Sequence, residues 1–155
     1  MRIFIFSVVA AFGLLVAACS SVVLTPADFA WPTEIVMEVD DDGKVFEKRY
    51  QTEFNVNPLF FAEFEDSSGT AGKEVHVLRD HNGYYYMVAA DFRNVHVFLP
   101  IEGGFEEAAA IAVKTEEQSP LKDPYFNWNK EKKLVELGDA MDESFSATLN
   151  HEGVK

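Results

Sequence analysis

The sequence predicts a mainly β fold in which antiparallel hairpins form a small sandwich or barrel. Two Asp/Asn-Gly turn signals, at 42–43 and 82–83, lie between segments in which apolar and polar residues alternate. The chain also has 14 Phe, 5 Tyr and 2 Trp in 155 residues, enough aromatic volume to fill a core between short strands. This length favours one domain, which we expect over residues 33–150.

The first predicted hairpin turns at residues 40–43. A four-residue loop is favoured because it pairs Glu34 with Arg49, whereas a two-residue loop would set Glu38 against Glu47. Either loop places the same apolar side chains on one face, and we expect that face to be core. Its members are Ile35, Met37, Val39, Phe46 and Tyr50.

The second predicted hairpin turns at residues 82–83 and joins strands at 74–79 and 84–89. A two-residue type I′ turn would place Arg79 opposite Tyr86. Both faces of this hairpin carry apolar side chains. We therefore expect it in the middle of the fold rather than at the rim.

Three further segments lie around this hairpin. Residues 58–64 predict a short aromatic strand, and residues 66–72 a flexible loop. Residues 94–99 predict another strand, which Pro100 should end because proline cannot donate to a sheet.

The C-terminal third is less uniform. Residues 105–117 are rich in Ala and Glu, which favours a short helix, although their β-branched residues also alternate as in a strand. A last hairpin is predicted from 125–128 to 133–137. From Gly138 onward we expect a short element followed by a frayed end.

The N-terminus carries the most specific signal in the chain. Cys19 is the only cysteine, and it directly follows an apolar, uncharged run that ends Leu-Val-Ala-Ala and that is too short to span a bilayer comfortably. This stretch resembles the signal sequences of bacterial lipoproteins, and the resemblance covers about the first 20 residues. It implies a signal peptide at 1–18, lipidation of Cys19 and a lipidated tether at 19–32. An ordinary secretory signal cleaved after Ala18 is the alternative.

The same resemblance implies a location. A lipidated cysteine would hold the protein on a membrane of the cell envelope, because each buried methylene of an acyl chain contributes about 0.8 kcal/mol. The residue after the cysteine is Ser20 rather than aspartate. In a host with two membranes, this implies the outer membrane, with the domain facing the periplasm.

The charge of the mature chain limits its partners. Without Arg2, the chain has 12 Lys and Arg against 26 Asp and Glu, a formal charge of −14. Such a charge opposes binding to nucleic acid and to bare anionic membranes. The expected partners are therefore the membrane, through Cys19, and a protein of the envelope.

Motifs that would indicate an enzyme or a bound metal are missing from the sequence. It has no glycine-rich phosphate loop, no His-Glu-x-x-His and no Gly-x-Ser-x-Gly. The acidic run at 40–43 does not fit a calcium loop, because Lys44 falls at a ligand position. We therefore expect no catalytic residue, no metal and no cofactor.

Histidines are the remaining catalytic candidates. His76 and His96 would join Asp91 in a metal or acid-base cluster if strand 94–99 pairs with strand 84–90 in a meander. Partly buried, hydrogen-bonded structural histidines are the favoured interpretation. Glu63 and Glu65 are likewise interpreted as solvated rim charges rather than as a carboxylate pair.

The aromatic residues exceed what a one-faced core needs. Some of them are expected to form an exposed contact patch or the mouth of an apolar pocket, since Tyr and Trp combine an apolar body with a polar edge. The residues chosen for this role are Tyr84, Tyr86, Tyr125 and Trp128. The alternative is that all of them fill a dense aromatic β core.

Three functions follow in order of preference. The first is a lipid-anchored, non-catalytic binding or assembly module that holds an envelope protein near the membrane. The alternative is a carrier that holds a small apolar ligand between its aromatic faces. An envelope hydrolase built on the histidines is third.

Overall fold

A computed structural model describes residues 32–48 and 51–155. Cys19, the predicted signal peptide and all of the predicted tether except Pro32 lie outside these residues. Eleven strands and one helix are defined in the described part of the chain. They are β1 (Ile35–Glu38), β2 (Lys44–Glu47), β3 (Thr52–Asn55), α1 (Asn57–Phe64), β4 (Glu74–Arg79), β5 (Tyr85–Ala89), β6 (Asn94–Ile101), β7 (Gly104–Ala112), β8 (Pro124–Asn129), β9 (Leu134–Asp139), β10 (Ser146–Asn150) and β11 (Gly153–Val154).

The strands form three antiparallel sheets. The largest has five strands in the order β1-β4-β5-β6-β7, the second has four in the order β11-β10-β9-β8, and the third has two, β2 and β3. The predicted mainly β, antiparallel fold is confirmed. Of the two forms that the sequence left open, these open sheets fit the small sandwich.

The five-stranded sheet lies in the middle of the fold, as predicted for its central hairpin. One face carries Leu78, Tyr86 and Val97, all fully buried, and forms a common core with the inward side chains of the four-stranded sheet, such as Phe126 and Leu137. The other face is covered by α1 and the β2–β3 hairpin. The layers are therefore, in order, the four-stranded sheet, the five-stranded sheet, and a smaller mixed cover that consists of α1 and the β2–β3 hairpin.

The hairpin between β4 and β5 turns through a three-residue loop that Asp80 stabilises. The N–H of Asp80 donates to the carbonyl of Tyr84 at 2.9 Å, and Gly83 adopts a φ of +93°. The Asp80 carboxylate accepts the N–H groups of Asn82 at 2.8 Å and Tyr84 at 3.0 Å. This is the three-residue hairpin loop in which glycine supplies the left-handed position.

The extra loop residue changes the register of the hairpin. Arg79 lies opposite Tyr85, so the predicted pairing of Arg79 with Tyr86 is wrong. The aspartate before the loop decides this, because its carboxylate satisfies two loop N–H groups that a type I′ turn would not present to it. Tyr86 therefore lies opposite Leu78 on the buried face, where its hydroxyl donates to Asp80 at 3.2 Å.

The first predicted hairpin is wrong in its strand pairing, although the chain does turn where predicted. Asp40 accepts the N–H groups of Asp42 and Lys44 in the same pattern that Asp80 shows, and Gly43 has a φ of +76°. The strands on either side then separate, because β1 pairs with β4 and β2 pairs with β3. β1 makes more contact with β4, and β2 with β3, than β1 and β2 make with each other.

This pairing changes part of the predicted core. Met37 and Val39 are buried and Ile35 packs against the core, as expected, while Tyr50 lies outside the described residues. The prediction for Phe46 is wrong, since its side chain is 47% exposed. Val45 is buried instead, because the β2–β3 hairpin turns the opposite set of its side chains toward the sheet.

Two secondary-structure predictions are reversed. The segment predicted as an aromatic strand is helix α1, which begins with Pro58 in its first turn, where a preset φ favours the helix. The favoured helix at 105–117 is instead strand β7, which pairs with β6 along its length. Hydrogen bonding to a neighbouring strand outweighs the helical propensity of the alanines and glutamates.

The end of strand β6 and the C-terminal segment also differ from their predictions. Strand β6 continues through Pro100 to Ile101, with Pro100 opposite Phe105 close to the turn into β7. The predicted frayed end is a hairpin of β10 and β11, in which Leu149 pairs with Val154. The hairpin of β8 and β9 and the loop at 66–72 are confirmed.

The loop aspartates give a matched test of this fold. Asp80→Ala removes the acceptor of three hydrogen bonds, one of them from the buried Tyr86 hydroxyl, and should lower the free energy of unfolding by about 2–4 kcal/mol. Asp40→Ala removes the equivalent pair in an exposed loop and should cost about 1 kcal/mol or less. Urea unfolding followed by tryptophan fluorescence measures both. Equal losses would contradict the role given to Asp80.

Candidate functional site

A groove of about 540 Å³ lies between the mixed cover and the five-stranded sheet. Its walls come from β3, α1, β5, β6 and the turn into β7. The lining is mainly apolar, and its principal side chains are Phe54, Val56, Leu59, Met87, Phe98 and Phe105. We call this feature the aromatic groove.

Ring contacts fix the shape of the aromatic groove. Phe54 from the cover and Phe105 from the sheet meet edge to face, with ring centroids 5.1 Å apart and planes at 72°. Phe105 meets Tyr85 in the same way at 5.0 Å and 79°. Edge-to-face pairs of this kind add about 0.5–1.5 kcal/mol beyond area burial, so the three rings form a defined row rather than a loose cluster.

Polar groups at the groove are few. Glu53 and Asn55 are the polar residues of the lining, and the register pairs Glu53 with Phe46, so its side chain projects from the hairpin face opposite to Phe54. The Glu53 carboxylate pairs with the Lys44 ammonium at 2.7 Å across the β2–β3 hairpin. This hydrogen bond and the charge of Glu53 raise the pKa of Lys44. The pair lies at the solvent-exposed edge of the cover.

A buried histidine stands beside the groove and ties its cover to the sheet. His96 lies on the same sheet face as Met87, its cross-strand neighbour, and as Phe98, two residues further on. Its Nε2 lies 2.9 Å from a carboxylate oxygen of Glu63 on α1, and its Nδ1 lies 2.7 Å from one of Glu107 on β7. A neutral imidazole has one N–H, so only the imidazolium satisfies both carboxylates.

We call the arrangement of Glu63, His96 and Glu107 the His96 bridge. The pKa values of His96 and Glu63 agree with this protonation state. Burial alone lowers the pKa of His96, but the hydrogen bonds and charges of Glu63 and Glu107 outweigh burial and raise it above its ordinary value. Burial likewise raises the pKa of Glu63, and bonds from His96, the Arg93 N–H and the Asn94 amide bring it below its ordinary value. The bridge is therefore an imidazolium with an ionised Glu63.

The interpretation of Glu63 as a solvated rim charge is wrong. Its side chain is 3% exposed, because α1 turns Glu63 toward the sheet, whereas Glu65 ends the helix with a left-handed φ of 56° and is exposed. A strand would have placed both residues on one face. The helix separates them.

The proposed cluster of two histidines and Asp91 is not formed. His76 lies opposite Val88 in the five-stranded sheet and His96 lies opposite Met87, so the two histidines project from opposite faces. Each of the three residues has another partner: His76 bonds to Glu34 at 2.9 Å, and Asp91 pairs with Lys122 at 2.6 Å. In the described ranges, no three His, Cys, Asp or Glu side chains are arranged to hold a metal ion.

The four predicted aromatic contact residues do not form one surface, and none of them lines the aromatic groove. Tyr86 is fully buried, so its assignment as a contact residue is wrong, and the cause is the one-residue change of hairpin register. Tyr84 and Trp128 are half-buried against the core. Tyr125 is 40% exposed and covers Gly138 on the face of the four-stranded sheet that points away from the core.

The groove residues were missed because nothing in the sequence distinguishes them from core aromatics. Phe54, Phe98 and Phe105 come from separate strands, and their approach depends on where the β2–β3 hairpin lies. That hairpin was predicted with the wrong partners. Pro58 was the one local signal that could have indicated α1, and with it the cover.

The bridge predicts a stability optimum in mildly acidic solution. The raised pKa of His96 gives stabilisation that is complete below 6.5, its ordinary value, and is lost as pH rises through the folded value. The lowered pKa of Glu63 gives stabilisation that is complete above 4.5 and is lost as pH falls through its folded value. Both contributions are therefore complete between pH 4.5 and 6.5.

Urea unfolding across a pH series measures this effect as the difference between the native protein and His96→Gln. The difference should shrink as pH rises above 6.5. Glu107→Gln serves as a second variant, and the pKa of His96 measured by NMR should be lower in it. A difference curve that stays flat from pH 6.5 to alkaline pH would contradict the charged bridge.

Comparison with protein-family models, with curated proteins and with solved structures finds no match to this chain. No helix among the described residues is long and apolar enough to cross a membrane. What the site can do follows from its chemistry: it is an open apolar groove with defined rings and a charged bridge beside it.

Proposed function

We propose that this chain is a lipid-anchored envelope protein that works by binding, and that its ligand is a small apolar molecule held in the aromatic groove. The observation that carries this proposal is the groove itself. Its volume of about 540 Å³ lies within the usual range for small-molecule sites, and its lining is apolar with few polar groups. This is the carrier alternative of the sequence analysis, placed ahead of the assembly module.

The walls of the groove support a binding role because they are preorganised. The floor is formed by β5 and β6, each of which is hydrogen-bonded to a strand on both sides, and the ring contact of Phe54 with Phe105 joins cover to sheet. The His96 bridge holds α1 in place on the other side. A ligand entering such a site pays little ordering entropy, which favours affinity.

A protein partner is the second candidate. The observation that favours it is a set of exposed apolar side chains outside the groove, including Met141 at 77% and Phe61 at 58% exposure. Scattered exposed apolar residues are normal on a protein surface, and they give this candidate less support than the groove gives a ligand. Native mass spectrometry of the protein purified from its host separates the two: a reproducible small-molecule mass supports the carrier, and a stoichiometric protein alone supports the partner module.

The membrane anchor is proposed on the lipobox resemblance around Cys19. It would keep the groove within reach of apolar molecules that are released from or delivered to a bilayer. Lipidated Cys19 is expected to hold the protein in the membrane fraction and to take up labelled palmitate. Cys19→Ala should abolish the label and release the protein from the membrane, as seen by fractionation. Ser20→Ala, the neighbouring substitution, is the control and should change neither readout.

Phe54→Ala tests the groove. It removes one ring of the lining, so the affinity for a neutral apolar dye such as Nile red should fall about five- to thirtyfold. Phe46→Ala is the matched control, because Phe46 lies on the same hairpin, is exposed and does not line the groove. Fluorescence titration measures both. Equal affinity in all three proteins would overturn the groove as the binding site.

A further inference from the structure

The four-stranded sheet has a face that points away from the core, on the side of the molecule opposite to the aromatic groove. We call the side chains that β8, β9 and β10 present there the outer face. We infer that the outer face binds a neutral oligosaccharide of pyranose units, which stacks on the ring of Tyr125 and forms hydrogen bonds with polar side chains beside it. This inference goes beyond the proposed apolar ligand and does not depend on it.

The first observation is the orientation of the Tyr125 ring. A Cβ atom at position 138 would lie 2.3 Å from Cζ, 2.5 Å from Oη and 2.7 Å from Cε1 of Tyr125. Three adjacent atoms of a phenol group lie at such similar distances from one point only when the face of the ring, and not its edge, is turned toward that point. The ring therefore lies flat across Gly138, in space that the Cβ atom of any other residue would occupy.

A ring that lies flat on a sheet turns its second face outward. Tyr125 is 40% exposed, whereas the next residue, Phe126, is buried in the core. The face of an aromatic ring carries the negative part of its quadrupole, and the C–H groups on one side of a pyranose carry partial positive charge. Tyr125 thus offers a flat apolar surface on which a sugar ring can stack.

The second observation is a row of polar side chains beside this ring. The strand register places Asn127, Glu136 and Thr148 next to one another, and Asn127 lies two residues along β8 from Tyr125. Residues two apart on a strand share a face, so the row and the ring belong to the same surface. Asn127 is exposed, and the other two are half-buried. Amide, carboxylate and hydroxyl groups together supply the donors and acceptors that sugar hydroxyls need.

The central acceptor of this row is held in place. The Asn129 side-chain amide donates a hydrogen bond to Oε1 of Glu136 at 2.7 Å. A carboxylate has about four lone-pair sites, so Glu136 keeps the capacity to accept bonds from sugar hydroxyls. Because the protein itself orients this group, a bound sugar pays less ordering entropy.

The third observation concerns charge. Alternation along β8, β9 and β10 gives the outer face one carboxylate, that of Glu136, and no Lys or Arg. The lysines of the 130–133 turn lie at the end of the hairpin away from Tyr125. An anionic polymer would find no cation of the outer face beside the ring, on a strongly acidic chain. A neutral oligosaccharide needs none.

The test titrates chitohexaose, a neutral oligosaccharide, into the isotope-labelled full-length protein and follows the amide signals by NMR. The dissociation constant should be about 1 mM, and the shifted signals should be those of β8 and β9. A hyaluronan hexasaccharide, which is anionic, should bind at least about fivefold more weakly. Cellohexaose serves as a second neutral probe.

Variants separate the stacking role of Tyr125 from its role as a cover for Gly138. Tyr125→Phe keeps the ring and should keep the affinity within about twofold. Tyr125→Leu keeps an apolar cover but removes the ring face, and should lower the affinity about tenfold. Asn127→Ala should lower it about three- to tenfold. Phe61→Leu is the matched control, because it removes an exposed ring from α1 and should change nothing.

Four outcomes would overturn this inference. They are no binding of either neutral probe, tighter binding of hyaluronan, an affinity that Tyr125→Leu leaves unchanged, and equal losses in Tyr125→Leu and Phe61→Leu. Self-association in sedimentation that Tyr125→Leu abolishes, without sugar binding, would assign the outer face to a second copy of the chain instead. None of these results bears on the aromatic groove, which the Phe54→Ala titration tests separately.

Discussion

Both faces of the five-stranded sheet carry apolar side chains, so each face needs another layer to keep water from it. The four-stranded sheet covers one face along the inward side chains of β8, β9 and β10. The other face is covered by a single two-turn helix and a hairpin of two four-residue strands. This second cover is smaller than the face beneath it. The aromatic groove is the space that the small cover leaves.

A cover this small needs attachment beyond apolar contact, and the His96 bridge supplies it. Burying one imidazolium and a carboxylate is costly unless each charge is paired and hydrogen-bonded. Glu63 meets that condition through His96, the Arg93 N–H and the Asn94 amide. The bridge also joins α1 to β7 through Glu107, so the walls on both sides of the groove are linked by one side chain.

The functional proposal combines two features of different origin. The lipobox resemblance concerns the N-terminus and the groove concerns the folded domain. Under this proposal, the domain is held near a bilayer and carries an open apolar site at its surface. His96 links the elements around the groove through Glu63 and Glu107, whereas His76 bonds to Glu34 on the opposite face of the sheet.

The sequence by itself determined the features that depend on neighbouring residues: the fold class, three turn positions, the β8–β9 hairpin and the acidic charge. Tertiary structure decided the features for which two local solutions are close in energy. The carboxylate of Asp80 stabilises a three-residue loop, which shifts the β4–β5 register by one residue from that of a two-residue turn and buries Tyr86. Pairing with β6 made a strand of an alanine-rich segment, and docking of α1 turned Glu63 inward. The groove belongs to this second group, because its walls meet only after strands far apart in sequence have found their partners.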